Sequence, residues 1–415
     1  MSSSQHWQQI NEWLTKHQEF WRPVPFREPN PEWCLHYPEL AREVARLSND
    51  QCRQLADNSE DLAVLAGKHL PSLRQYSHLV DMPDLTSSEA GIRQATLPET
   101  KAKDMPGRKR LQAGAFAATT APLVHPVLDW CCGKGHLART LVSVGGKPAL
   151  GYEWDDQLVS DGNRLADHYQ DPVAIQQQDV MAGDLQLPAG VHGVALHACG
   201  DLHRHLILQG AEAGLPRLSL SPCCYHLGRC LDKNQVYRPL SSRAGQSVPA
   251  LTLFRNDIRL AVQETVTAPV RVREQNRIMS QWRLGFDSLQ RHLRGVDQYL
   301  PLPSYPPAQI HEGFRVFCHW ASLKMGLTLP ADVNFDEWLL AGARRLQSVR
   351  RHELIRHLFR RPLELWLALD YVIFLEEQGY RVRYGQFCER SLTPRNLMID
   401  AVLVPENKKT GVRQE

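Results

Sequence analysis

The residues best suited to chemistry are acids and glycines placed where short apolar runs end. Val127-Leu-Asp129 leads directly into Trp130-Cys-Cys-Gly-Lys-Gly135, and Glu153 and Asp179 close the next two apolar runs. Glycine lets a backbone approach a ligand closely. A carboxylate at the end of the second run can accept hydrogen bonds from both hydroxyls of a ribose. The pattern predicts a pocket for a ligand that contains a nucleoside.

The same residues favour S-adenosylmethionine as that ligand. Asp129 precedes the glycines, where it suits the amino group of the methyl donor, and acids follow at the ends of the next two runs. Gly133-Lys-Gly-His-Leu-Ala138 also matches the GxGxxA pattern of dinucleotide loops, so a nicotinamide-dependent enzyme stays open as a minority alternative. The predicted cofactor-binding residues are Asp129, Cys131, Gly133, Gly135, His136, Glu153, Asp179, His197 and Cys199.

Alternating strands and helices must position these residues. Apolar runs predict strands at 127–129, 149–153, 174–179, 193–197 and 217–221, with helices at 136–144 and 155–169. This rhythm is typical of a parallel α/β sheet, whose ligands bind beyond the carboxyl ends of the strands. Two further runs, 380–384 and 396–404, are too closely connected for a parallel pair and predict an antiparallel hairpin.

We therefore predict a Rossmann-like methyltransferase fold with seven strands, an N-terminal helical region and a mostly helical insertion. The predicted segments are a helical region at 1–105, the first part of the core at 106–228, an acceptor-recognition insertion at 229–370 and the last core strands at 371–415. The catalytic domain is thus predicted to be discontinuous in sequence.

The candidate catalytic residues follow the fourth and fifth predicted strands and lie in the last turn. Methyl transfer mainly requires alignment of the acceptor with the methyl group, and a base helps where the acceptor is a hydroxyl. The candidates are Asp201, Cys223, Cys224, Tyr225, His226 and Arg395.

Each candidate has a simpler alternative. Asp201 is a base or only a helix cap. Either cysteine can attack C6 of a pyrimidine as a thiolate, which is a minority interpretation. Tyr225 and His226 can stack on a base or take a proton, and Arg395 can fix the acceptor or simply form a turn.

A metal site is not predicted. The chain has ten cysteines but no paired CxxC motifs. A site built from Cys199, Cys223, His226 and Cys230 is conceivable, although this spacing is not diagnostic. Small thiols packed against a sheet are the favoured interpretation, and a reducing compartment would keep them unbridged.

The composition indicates an ordinary soluble globular protein. Of the 415 residues, 43% are hydrophobic and 22% charged, and the net charge is +3. The chain starts with no basic segment followed by an apolar one, and no apolar run is long enough for a bilayer. We expect a cytoplasmic protein without a membrane partner, and the composition leaves the oligomeric state open.

An arginine-rich segment at 344–361 indicates an RNA partner. It carries seven arginines and one acid, and arginine suits both phosphate contacts and base stacking. The alternative is a solvated helical face. The candidate phosphate contacts are Arg344, Arg345, Arg350, Arg351, Arg356, Arg360 and Arg361.

Four motifs together resemble a known family. They are Asp129-Trp-Cys-Cys-Gly-Lys-Gly-His-Leu, His197-Ala-Cys-Gly-Asp-Leu, Ser221-Pro-Cys-Cys-Tyr-His-Leu and Leu392-Thr-Pro-Arg-Asn-Leu. They resemble the methyltransferase-like-25 family, which is related to the transfer RNA 2′-O-methyltransferases that carry a Cys-Cys-His motif. The resemblance covers most of the chain and implies a class I methyltransferase that uses S-adenosylmethionine. A common form of the first motif has glycine where this chain has Cys131.

These observations predict an S-adenosylmethionine-dependent methyltransferase that acts on transfer or ribosomal RNA. Two other functions stay open, a methyltransferase for small molecules or proteins and a non-catalytic scaffold that keeps the donor-binding fold.

Overall fold

The computed structural model describes residues 1–227, 234–263 and 270–405. Its strands are β1 Val127–Trp130, β2 Ala149–Glu153, β3 Val173–Gln177, β4 His192–Cys199, β5 Arg217–Cys223, β6 Tyr380–Gln386 and β7 Leu397–Leu403. Its α-helices are α1 Ser3–Lys16, α2 Gln18–Trp21, α3 Trp33–His36, α4 Pro38–Arg46, α5 Asn49–Asp57, α6 Ser59–Ala66, α7 Tyr76–Val80, α8 Glu89–Ala95, α9 Gly107–Thr120, α10 His136–Gly145, α11 Asp156–Tyr169, α12 Asp201–Glu212, α13 Ser242–Gly245, α14 Arg255–Ala261, α15 Val270–Arg294, α16 Phe314–Met325, α17 Phe335–His357 and α18 Arg360–Glu377.

Within these described residues the strands form one seven-stranded sheet in the order β3-β2-β1-β4-β5-β7-β6. The first five strands run parallel, and β7 pairs antiparallel with both β5 and β6. The strand order reverses between β1 and β4, which is where ligands bind in open α/β sheets. The predicted class I methyltransferase fold with its C-terminal hairpin is confirmed.

The sequence located every strand of this sheet but did not give the bounds of the longest helix. The observed β2 has the predicted bounds, and β5 extends two residues further than predicted, to Cys223. Helix α15 lies in the insertion at 229–370, which was predicted to be mostly helical but without bounds for this helix. Its first half is mostly exposed and polar, and its apolar contacts begin near Trp282, so helical periodicity is weak over much of its length.

Packing divides the chain into two compact units. The first consists of Met1–Glu12, Asp81–Glu264 and Leu363–Glu415 and contains the sheet. Phe116, Leu137 and Leu141 pack against strand residues such as Val127 and Val194 in its core. The hydrophobic effect of this burial holds α9 and α10 against the sheet.

A buried ion network fastens the C-terminal strand within this unit. Asp400 on β7 is 2% exposed and accepts hydrogen bonds from Arg217 Nε at 2.8 Å, Ser219 Oγ at 2.6 Å and Arg383 Nε at 2.6 Å. His192 Nε2 lies 2.7 Å from Ser219 Oγ. The network therefore connects β4, β5, β6 and β7.

The second unit consists of Trp13–Val80 and Thr265–Pro362 and is helical. Three aromatic rings pack against Phe317 of α16, those of Trp282 and Phe286 of α15 and that of Tyr305, with centroid distances of 5.6, 6.4 and 5.2 Å. Asp287, 2% exposed, accepts hydrogen bonds from Arg291 and Arg345. Aromatic packing and buried ion pairs thus join the long helices of this unit.

The predicted boundary between residues 370 and 371 falls within helix α18, Arg360–Glu377. The predicted division of the chain into four segments stays a prediction. No described helix is both long and apolar enough to cross a membrane.

Candidate functional site

The loop between β1 and α10 has the conformation that its glycines predict. Gly133 and Gly135 have φ values of 57° and 68°, in the left-handed region that favours glycine. Asp129, 2% exposed, accepts a hydrogen bond from the Ala138 amide at 3.0 Å, and burial raises its pKa to about 7. The carboxyl thus supports the first turn of α10, and its contact with the donor's amino group stays a prediction.

Cys131 occupies a position where glycine has a physical advantage. Its φ is 57°, which a side chain adopts only at a cost. The loop nevertheless keeps the glycine conformation at this residue. Glycine would adopt this left-handed conformation at a lower cost than cysteine does.

Glu153, at the end of β2, is fixed beside this loop. Its Oε2 accepts the Gly133 amide at 2.8 Å, and its Oε1 accepts the amides of Trp154 and Asp155 at 3.0 and 3.1 Å. A Cβ built on Gly133 would meet no atom of the described chain within 4 Å, so open space borders the loop beside this carboxylate. The arrangement suits a ribose whose hydroxyls donate to the carboxylate's remaining lone pairs.

The sequence overlooked two residues around this pocket. Trp154 follows Glu153 and is 72% exposed, so its ring is available to stack on a base. Gln112 of α9 is buried and its Oε1 lies 2.7 Å from His197 Nε2. An aromatic residue directly after a strand-end acid was a usable signal for Trp154, whereas nothing local marks Gln112.

Asp179 and His136 lie where the sequence placed them, next to the carboxyl ends of β3 and β1. Asp179 is exposed two residues beyond β3 and accepts the Met181 amide at 2.9 Å. His136 is the first residue of α10, and burial lowers its pKa to about 4. It is therefore neutral near pH 7, and the binding roles of both residues stay predictions.

The end of β4 is irregular, and this irregularity turns its residues. The register with β5 shifts between Leu196 and Cys199, and His197 has a φ of 69°. Bulges of this kind often redirect side chains beside active sites. Asp201 begins α12 and is half-buried, while Gly200 occupies the cap position. Asp201 is therefore not the cap residue, and its role as a base stays a prediction.

Gly200 permits a backbone contact that no other residue could. Its φ is 58°, and a Cβ at this position would lie 1.8 Å from the Leu227 carbonyl oxygen. We expect Gly200→Ala to force the β4 and β5 ends apart and lower the thermal unfolding midpoint by several degrees. Gly183→Ala is the control, because a Cβ there meets nothing within 4 Å of the described residues. Equal midpoints for the two variants would contradict this prediction.

Three thiols meet at the ends of β4 and β5. The Sγ atoms of Cys199, Cys223 and Cys224 all lie within 4.8 Å of one another, and those of Cys199 and Cys223 are 3.6 Å apart. Hydrogen bonds from Cys199 and Cys223 lower the pKa of Cys224, whereas the hydrogen bond with Cys199 raises the pKa of Cys223. Cys230, the fourth cysteine considered in this region, lies outside the described residues.

Tyr225 and His226 of the predicted catalytic set differ in their burial. Tyr225 is 1% exposed, and its ring packs against those of His203 and Tyr371 at 5.6 and 6.1 Å, so the prediction that it stacks on a substrate base is wrong. His226 is half-buried, and burial lowers its pKa. Its catalytic role stays a prediction.

The catalytic role of Arg395 stays a prediction. Its guanidinium donates to the carbonyls of Ala261 and Val262 at the end of α14 and lies 3.8 Å from Glu364. These contacts occupy the side chain in joining the final turn to a helix. The simpler alternative, a structural role in the turn, describes it better.

The arginines of 344–361 differ in accessibility. Arg356 is 4% exposed and donates to the Trp21 carbonyl at 3.0 Å, so it cannot contact phosphate and that prediction is corrected. Arg345 pairs with Asp287 at 2.6 Å, and Arg351 donates to the Leu47 carbonyl at 2.7 Å. Arg344 and Arg350 are exposed.

Comparison with known proteins supports this assignment of the fold. A family profile described as a methyltransferase domain matches residues 114–229. No curated protein matches the chain in sequence.

Solved structures that resemble the chain are distant. One is the YcgJ protein from Bacillus subtilis, 18% identical, with a TM-score of 0.24 over 26% of this chain and 48% of that one. Another is a glycopeptide N-methyltransferase, MtfA, complexed with S-adenosylmethionine, 20% identical, with a TM-score of 0.23 over 26% and 52%. The magnesium protoporphyrin IX methyltransferase of Synechocystis PCC 6803 is 10% identical, with a TM-score of 0.29 over 84% and 100%.

The chain spans about half the length of the first two of these structures. Because their scores are low, the assignment rests on the strand order and the family profile. Together these identify a class I methyltransferase domain whose cofactor is S-adenosylmethionine, and they set aside the nicotinamide-dependent alternative.

Proposed function

We propose that the protein is an S-adenosylmethionine-dependent methyltransferase that acts on transfer or ribosomal RNA. The donor site consists of the loop at Gly133 and Gly135 and the fixed carboxylate of Glu153. When bound, S-adenosylmethionine supplies an electrophilic methyl group. Asp201, next to the carboxyl end of β4, is the candidate base for an RNA hydroxyl.

A cluster of cations in the second unit carries the RNA part of the proposal. A groove of about 830 Å³ is lined by Arg53, Arg273, Arg277 and Arg350, with Glu274 and Glu353 as its acids. Burial, and then the nearby Arg277, lower the pKa of Arg350. Positive charge therefore exceeds negative charge in this groove, and a phosphate backbone would neutralise the excess. The likeness of Ser221-Pro-Cys-Cys-Tyr-His226 to the Cys-Cys-His transfer RNA methyltransferases supports the same acceptor class.

The proposal is tested by following labelled methyl groups. The purified chain and labelled S-adenosylmethionine are incubated separately with total RNA, total protein and a small-molecule extract from the same cells. We expect label in RNA, and digestion to nucleosides then identifies the modified base or ribose. Label only in protein or only in small molecules would contradict an RNA acceptor and identify that other class as the acceptor. No label in any fraction would favour a non-catalytic scaffold.

The groove itself gives a second prediction. We expect the double replacement Arg277→Ala and Arg350→Ala to weaken RNA binding about tenfold or more and to reduce its salt dependence by roughly two counterions, since each phosphate contact contributes about one. Arg42→Ala is the matched control, because Arg42 is an exposed arginine of the same unit on α4. Filter binding at several salt concentrations measures both quantities. Similar affinities for the double variant and the control would contradict an RNA role for this groove.

A further inference from the structure

The three thiols at the ends of β4 and β5 form an arrangement that the methyltransferase assignment does not explain. Cys199 is the last residue of β4 and Cys223 the last of β5, and the two are direct partners in the parallel register. Cys224 follows with a φ of 49°, an unusual conformation for a residue with a side chain. This turn leaves its sulfur within 4.8 Å of both other sulfurs instead of on the opposite face of the strand.

The sulfur spacing matches that of thiolates around one metal ion. Zinc binds thiolate sulfur at about 2.3 Å in tetrahedral geometry, which places two such sulfurs about 3.8 Å apart. The Sγ atoms of Cys199 and Cys223 are 3.6 Å apart, and the third sulfur lies inside the same 4.8 Å limit. A disulfide would require about 2.05 Å, so the two neighbouring thiols are not bonded.

The backbone holds these sulfurs together without any ion. The Gly200 amide donates to the Cys223 carbonyl at 3.1 Å, and the Leu227 amide donates to the Cys224 carbonyl at 2.9 Å. The Asp201 amide in turn donates to the Leu227 carbonyl at 3.2 Å. These hydrogen bonds connect the segment after β4 to the segment after β5. The three sulfurs are therefore close together before any ion binds.

We propose that Cys199, Cys223 and Cys224 bind one thiophilic divalent cation, with zinc as the preferred ion. Three thiolates displace three protons to solvent on binding and leave one position of a tetrahedral ion for a further ligand. Among the described residues, no histidine or carboxylate belongs to this cluster. Three protein ligands with an open fourth position are the arrangement found in zinc sites that act on a bound molecule.

A bound metal ion would affect the predicted nucleophilic role of the two adjacent cysteines. Cys223 and Cys224 were candidate nucleophiles for a pyrimidine. A thiolate that binds zinc donates its electron pair to the ion, so it is less available to attack a pyrimidine. The proposal is independent of the acceptor, because metal binding is measured without any methyl transfer.

The test uses the full chain, purified without chelators and dialysed against metal-free buffer. Elemental analysis should find about one zinc per chain. Replacement of zinc by cobalt should give sulfur-to-cobalt charge-transfer bands together with the visible bands of a tetrahedral site. Zinc is then added back to the metal-free chain and the excess is removed. A content below about a tenth of one equivalent of zinc, together with no charge-transfer bands after cobalt is added, would overturn the proposal.

Variants then assign the ligands. Cys199→Ser, Cys223→Ser and Cys224→Ser should each lower the zinc content and weaken the charge-transfer bands, while Cys52→Ser, a half-buried cysteine of the second unit, should change neither. Zinc that persists in all three serine variants would show binding elsewhere and contradict the site. If a variant does not fold, thiol titration of the wild type decides. Metal removal under reducing conditions should expose three additional reactive thiols, and an unchanged number of reactive thiols would refute the proposal.

Discussion

Replacement of Glu153 by alanine is expected to raise the dissociation constant for S-adenosylmethionine at least about a hundredfold. The side chain should accept two ribose hydrogen bonds, and each bond to a charged group contributes about 1.5–3 kcal/mol. A loss of about 2.8 kcal/mol corresponds to a hundredfold change in affinity. Isothermal titration with S-adenosylmethionine and with its demethylated product measures the effect directly.

Two further variants separate ribose binding from support of the loop. Glu153→Gln keeps an acceptor oxygen for the Gly133 amide but loses the charge, so we expect an intermediate affinity. Asp156→Asn changes an exposed acid in the first turn of α11 and should bind the donor as the wild type does. Affinity within about threefold of wild type for Glu153→Ala would remove Glu153 from the donor site.

Replacement of Asp400 by asparagine is expected to lower the free energy of unfolding by about 3–5 kcal/mol, because it removes the anion from a buried ion pair and leaves Arg217 uncompensated. The Arg217 side chain is 10% exposed, so water cannot substitute for the carboxylate. Urea denaturation followed by tryptophan fluorescence measures the loss. Asp184→Asn, an exposed acid of the same unit, should change stability by less than about 0.5 kcal/mol.

The pH dependence of this difference has a definite sign. Burial alone would raise the pKa of Asp400, but the hydrogen bond and charge of Arg217 outweigh it and lower the pKa. A lowered pKa in the folded state stabilises the protein above the ordinary aspartate value of about 3.9, and this stabilisation is lost as the pH falls further. The gap between wild type and Asp400→Asn should therefore be full at pH 7 and shrink below about pH 4. A gap that does not depend on pH would contradict the ionic origin of the effect.

Local patterns were sufficient to predict the strands of the sheet and the glycine conformation of the loop after β1. Most strands are short apolar runs and β6 alternates apolar with charged residues. Gly133 and Gly135 follow β1 within a few residues, so one window of sequence contains both the strand and its loop. The position of Glu153 followed from a general property of parallel strands, since their carboxyl ends meet at one edge of the sheet.

The remaining features depend on contacts between distant segments. Arg356 belongs to an arginine-rich run, but its burial depends on the carbonyl of Trp21, 335 residues earlier. The thiol cluster depends on the register between β4 and β5 and on the bulge after Leu196, neither of which cysteine spacing shows. Tyr225 looked accessible at a strand end, and only the packing of Tyr371 from α18 shows that it is buried.

The insertion of β7 between β5 and β6 has a consequence for biosynthesis. Strands β1 to β5 are complete once residue 223 has been made, but the partner of β5 is at residues 397–403. During synthesis the edge of β5 stays unpaired until about 170 further residues have been made. An unpaired strand edge favours association with other chains. The helical residues made in between therefore prolong the time in which a nascent chain depends on protection from aggregation.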